Sequence, residues 1–157
     1  MSAPVSPATD RAIDALMTLF PHKGSALLPA LYLIQDEKGY VSQESMSYVA
    51  EKIGLSPVFV AGVVTFYTMF HRRPVGRHHI QVCRTLSCAL RGSAAVVEHL
   101  KTRLGIEVGG TTPDGRFSLV EVECLGACDM APMCQINDEE RHFLDAGKID
   151  AILETLE

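Results

Sequence analysis

Cys83 and Cys88 form one close pair of thiols and Cys124 and Cys128 a second, and each pair follows a segment that reads as a β-strand. Two thiol pairs carried together by two adjacent loops make a four-sulfur metal site. Nothing else in the chain resembles an active site. The six histidines show no ligand spacing, and Gly109-Gly110 lacks the pattern of a phosphate-cradling loop after a strand.

Several chemistries use clustered cysteines. A disulfide framework suits a secreted chain, yet five cysteines would leave one over, and the N-terminus has neither a basic start nor an apolar stretch. A thioredoxin-type dithiol needs Cys-x-x-Cys, which is absent. A Rieske centre needs histidine two residues after a cysteine, and those positions hold Thr85, Leu90, Gly126, Met130 and Ile136. Structural zinc takes four cysteines with about two to four residues between paired ligands, and both spacings here fall in that window. An iron–sulfur core also takes four thiolates, and two pairs on two loops suit two irons. On spacing alone, zinc and iron–sulfur both stay open.

The elements that must position these thiols divide the chain near Pro74. A leader over residues 1–9 is expected to be loosely held. Helical patterns then fill residues 10–73. Asp10 to Phe20 places Ile13, Leu16, Met17 and Phe20 at helical spacing, and Ser25 reads as the cap of a second helix stopped by Gly39. Ser42 reads as the cap of a third helix closed by Gly54, and Ser56-Pro57 as the start of a fourth. Residues 74–157 change period. His79 to Val82 alternates as a strand delivering Cys83, and Ser93 to Leu104 is a helix. Phe117 to Glu123 is a strand delivering Cys124, with Val120 and Val122 on one face and Phe117 and Leu119 split across both. Met133 to Ile136 reads as a third strand ending in an Asn137-Asp138 turn, and Gly147 to Leu156 as a closing helix. The order β-α-β-β-α predicts a small mixed sheet with helices packed on it, an α+β fold. Amides around Thr85 to Ser87 and Leu125 to Ala127 are placed to donate to sulfur.

Composition bounds the function. The share of hydrophobic residues is 47% and of charged residues 21%, as in an ordinary globular protein. No apolar run approaches the roughly 18 residues that cross a bilayer, so no direct membrane insertion is expected. A formal charge of −5 argues against a nucleic-acid partner. The helices of residues 42–70 could mimic a helix-turn-helix, but they offer only Lys52 as a basic residue.

Val82-Cys83, Cys88, Glu123-Cys124-Leu-Gly-Ala-Cys128, Ala131-Pro132-Met133 and Gln135-Ile136-Asn137 together resemble the E-type (24 kDa) family of NADH:quinone oxidoreductase, respiratory complex I. Gly62-Val-Val-Thr-Phe-Tyr67 with Phe70, and Pro74-Val-Gly-Arg-His78, are similar to that family's upstream segments. The resemblance runs from about Leu27 to the C-terminus. It implies an N-terminal helical bundle before a thioredoxin-like ferredoxin domain carrying one [2Fe–2S] cluster, with Cys83, Cys88, Cys124 and Cys128 as ligands and no catalytic side chain. It further implies an F-type flavoprotein partner holding FMN and NAD(H) within a larger complex, and a cytoplasmic location peripheral to a bacterial inner membrane. The equivalent components of NAD-linked formate dehydrogenases and bidirectional hydrogenases share this pattern. Cys134 departs from it and reads as a buried, inert thiol. The basic run His71-Arg72-Arg73 with Arg77-His78-His79 reads as a solvated loop, and Thr65 to Phe70 as packing within the core or along a domain seam.

Overall fold

The computed structural model describes residues 5–156. The chain forms two compact units, Met1–Pro74 and Val75–Glu157.

The first unit holds helices α1 (Pro7–Leu19), α2 (Leu27–Lys38), α3 (Gln43–Ile53) and α4 (Pro57–Phe66). Each is too short to persist alone, so the shared apolar core holds them. Ile13, Leu31, Ile34, Val49, Ile53, Val60 and Val64 are fully buried there, each contributing about 1.5–3 kcal/mol of transfer free energy. Lys52 on α3 pairs with Asp10 and Asp14 of α1, and the Tyr48 hydroxyl donates to Asp10. Lys52 first, then Tyr48, holds the Asp10 carboxyl below its ordinary range.

Three expectations for this unit are corrected. The leader ends sooner than residue 9, because the Ser6 hydroxyl accepts from the Thr9 amide and Pro7 takes the first helical position. Residues 1–4 of that leader lie outside the described residues. Ser25 does not cap α2; it sits within a 3-10 turn, Lys23–Ala26, that runs straight into the helix. Phe66 is 77% exposed, whereas Phe70 is buried against Tyr32 at 5.2 Å between ring centroids. The Thr65–Phe70 segment is therefore not uniformly core. Ser42 does cap α3, accepting from the Ser45 amide, and Gly39 and Gly54 close their helices in the left-handed conformation.

The second unit is a four-stranded mixed sheet of order β2-β1-β3-β4, made of β1 (His78–Cys83), β2 (Phe117–Val122), β3 (Cys134–Ile136) and β4 (Glu139–Arg141). β1 and β2 are parallel, whereas β3 pairs antiparallel with both β1 and β4. Helices α5 (Leu86–Leu90) and α6 (Ser93–Leu104) connect β1 to β2, and α7 (Ala146–Thr155) closes the chain. Ile80, Val82, Leu119, Cys134 and Ile136 meet Val96, Val97 and Leu100 of α6 and Ile149 and Leu153 of α7 in one core.

Register decides which face of β2 is buried. Ile80 pairs with Leu119 and His79 with Ser118, so Phe117 and Leu119 enter the helix-covered core while Val120 and Val122 are only half-buried. Phe117 and Leu119 thus share the buried face and are not split across both, because residues two apart in a strand point the same way. β4 has no counterpart among the expected strands, since Glu139-Glu140-Arg141 carries no apolar alternation; it is an edge strand held by backbone pairing to β3. Asn137, at φ +54°, makes the turn between them and extends β1, its Oδ1 accepting from the His79 amide at 2.9 Å and its Nδ2 donating to the Arg77 carbonyl at 3.1 Å. His79 itself is buried, its Nδ1 2.7 Å from Ser118 Oγ. The basic run is thus not a uniform solvated loop. Among the described residues, no helix is long and apolar enough to cross a membrane.

Candidate metal centre

Parallel neighbours leave a sheet at the same edge, and that places the thiols. Cys83 ends β1, opposite Val122 at the end of β2, and Cys124 follows two residues later. The Arg84 amide donates to the Val122 carbonyl at 3.0 Å, extending the ladder past both strand ends. Above it the Arg84 guanidinium meets Glu123, with Nη2 2.5 Å and Nε 3.0 Å from Oε1. An ion pair therefore spans the residue after the first ligand candidate and the residue before the third.

Cys88 lies in α5, the short helix that turns back from β1. Gly126 adopts φ +94°, a left-handed turn between Cys124 and Cys128 that a side chain would strain. Beyond Cys128 the chain is anchored on three sides. Arg91 Nε donates to the Ala131 carbonyl at 3.0 Å, and the Phe143 and Leu144 amides donate to the Met130 and Pro132 carbonyls at 2.9 Å each. Ala127, Ala131 and Met133 pack beside Cys83 and Cys88 as a small apolar cluster, distinct from the helix-covered core.

The four thiols form two interacting pairs that feel one another. Cys124 and Cys128 sulfurs are 3.6 Å apart, and Cys83 and Cys88 are buried in the same small cluster. Charge on Cys83 acts on Cys88, Cys124 and Cys128. Two sulfurs bonded at about 2.3 Å to one tetrahedral metal sit about 3.7 Å apart, so the measured spacing fits a shared metal without rearrangement. Among the described residues, no group of three histidine, cysteine, aspartate or glutamate side chains is arranged to hold a metal ion.

Electrostatics is asymmetric within each pair. Burial works against ionising Cys83, yet hydrogen bonds from the Thr85 hydroxyl and the Thr85 and Leu125 amides outweigh it, so its thiol is more acidic than usual. The Gly126 amide, then Cys128 and the Thr85 hydroxyl, do the same for Cys124. Burial raises Cys88, and the neighbouring Cys124 raises Cys128. Each pair thus contains one thiol more acidic than usual and one less so. Cys83 and Cys88 are each only 2% exposed, whereas Cys124 and Cys128 face solvent.

All four sequence-derived candidates come together at this edge, and Cys134 does not join them. It lies in the helix-covered core, where burial pushes its thiol up to about 12. The expected amide donors include Thr85, Leu125 and Gly126. Sequence reasoning missed the Met133 amide on Cys88, the hydroxyls of Thr85 and Ser87 on sulfur, and the Arg84–Glu123 pair. For Arg84, Ser87 and Glu123 the available signal was adjacency to Cys83, Cys88 and Cys124.

The family model of the thioredoxin-like [2Fe-2S] ferredoxin matches residues 13–157. The chain is similar to an NADH-quinone oxidoreductase subunit of Rhizobium meliloti, 47% identical over 143 residues that cover 91% of this chain and 85% of the relative. It is also similar to "NADH-quinone oxidoreductase subunit 2" of Thermus thermophilus, 43% identical over 129 residues, 81% and 71% of the two chains. Among solved structures it superposes with TM-score 0.71 on an NAD+-reducing [NiFe]-hydrogenase, at 28% identity, over 83% of this chain and 22% of that one.

Proposed function

The chain belongs to the thioredoxin-like [2Fe-2S] ferredoxin family, and from that premise we propose that Cys83, Cys88, Cys124 and Cys128 hold one [2Fe–2S] cluster serving the flavoprotein of an NADH:quinone oxidoreductase. The observation that carries this reading is the convergence of two thiol pairs at the shared end of β1 and β2. When bound, such a cluster changes by one electron, which complements the two-electron hydride chemistry of FMN and NADH on the partner.

The residues of this chain hold, insulate and expose. Cys83 and Cys88, with Ala127, Ala131 and Met133, wall one side of the site away from water. Cys124 and Cys128 open the other side, which makes that side the port through which the partner exchanges electrons. Amides of Thr85, Leu125, Gly126 and Met133 face the sulfurs and compensate their negative charge. No side chain here makes or breaks a substrate bond. FMN and NAD(H) reside on the flavoprotein, and the chain sits at the cytoplasmic face of a bacterial membrane through the complex.

The runner-up is the corresponding component of a soluble NAD-linked hydrogenase or formate dehydrogenase, favoured by the structural likeness to the hydrogenase. Higher identity to the oxidoreductase relatives favours the first reading. Co-purification under anaerobic conditions decides both points. An FMN protein is expected to accompany this chain together with quinone-reducing membrane proteins, and NADH is expected to reduce the cluster. A nickel or molybdenum protein in their place selects the runner-up. Absence of any NADH-reducible partner rejects both.

A further inference from the structure

Thr85 stands where a helix cap should be, two residues after Cys83, with backbone dihedrals of a cap residue. A threonine there ordinarily turns its hydroxyl onto an amide of the first turn, worth about 1 kcal/mol to the helix. This one makes no such bond. Its Oγ1 instead lies 3.2 Å from Cys83 Sγ. The half-buried Thr85 side chain thus serves the site and not its own helix.

We propose that the Thr85 hydroxyl is a positioning and tuning group, donating to the sulfur of Cys83 and so raising the reduction potential of the cluster. This rests on the reading that Cys83 is a cluster ligand. Between two free groups either partner could donate, but a metal-bound thiolate has no proton, so the threonine O–H becomes the donor. Reduction adds negative charge to the sulfurs, and a donor aimed at them stabilises the reduced form more than the oxidised one.

Thr85→Val keeps the shape and removes the donor, whereas Thr85→Ser keeps the donor. The whole chain, anaerobically loaded, is titrated while the reduced cluster is followed by EPR. T85V is expected to lower the reduced-to-oxidised ratio at a fixed potential by about threefold to tenfold, equal to about 30–60 mV for a one-electron couple. T85S is expected to stay at the wild-type value. T85V is also expected to lose an exchangeable-proton hyperfine coupling that T85S retains. If T85V fails to load, Thr85→Ala replaces it and must show the same shift against T85S. A loaded T85V or T85A with the wild-type potential overturns this role for Thr85. Failure of the wild-type chain to take up two irons would instead overturn the ligand reading itself, so the two outcomes are separable.

Discussion

Gly76→Ala tests whether close backbone approach sets the start of the β1–β2 pair. A Cβ built on Gly76 would lie 2.5 Å from the Phe117 carbonyl carbon, 2.7 Å from the Ser118 nitrogen and 2.8 Å from the Phe117 Cα. All three are backbone atoms, so no side chain can rotate away and one strand must move. Movement also weakens the bond from the Gly76 amide to Ser118 Oγ at 3.1 Å. Overpacking costs about 1–3 kcal/mol and the weakened bond about 0.5–1.5 kcal/mol. Alanine recovers about 0.4–1 kcal/mol by restricting the unfolded chain. The net loss is centred near about 2 kcal/mol, or about 8–16 °C in Tm for a unit of this size. Urea and thermal unfolding of the metal-free chain measure it. The six-residue strand β1 separates Gly76 from the thiols by about 20 Å, so the EPR spectrum of the loaded variant should match wild type. A loss below about 0.5 kcal/mol, or a changed spectrum, would refute the reasoning.

Further outcomes follow from the thiols and the acid groups. Serine at position 83, 88, 124 or 128 should abolish or badly distort the cluster, whereas Cys134→Ala should leave its spectrum intact; an unaltered spectrum in any of the first four removes that residue from the ligand set. Because burial pushes Cys134 up to about 12, iodoacetamide near pH 8 should spare it in the native chain and label it after unfolding; prompt native labelling would show the site is open. Glu37 is held down to about 2, chiefly by a hydrogen bond from Thr9, with burial opposing and the Ser6 hydroxyl and amide adding to the effect. Its stabilisation is therefore complete above its ordinary value of 4.5 and is lost as pH falls toward about 2. Urea midpoints of the metal-free wild type and Glu37→Gln should converge between about pH 6 and pH 3, and a constant gap would contradict this.

Legibility in the sequence depended on whether a signal was local. Ser42 and Gly54 bracket α3 because capping and the left-handed turn act within four residues. The cysteine pairs were readable for the same reason: each lies beside the strand that delivers it. Ser25 misleads because a serine before an apolar run suits a 3-10 turn as well as a cap. The buried face of β2 is ambiguous in sequence because valines favour strands whichever way they point. Parallel register with β1, a non-local fact, turns Phe117 and Leu119 inward. β4 carries no pattern of its own and exists through its partner β3. The Thr85 hydroxyl depends on a side-chain rotation toward sulfur, which residue type leaves open between cap and ligand shell.

Metal and sulfide analysis of the anaerobically purified chain, joined to EPR after reduction, bears most directly on the four-thiolate site. The expected result is about two irons and two acid-labile sulfides per chain with a rhombic signal on one-electron reduction. Tightly held zinc with no iron, or thiols bridged to one another without metal, would contradict it.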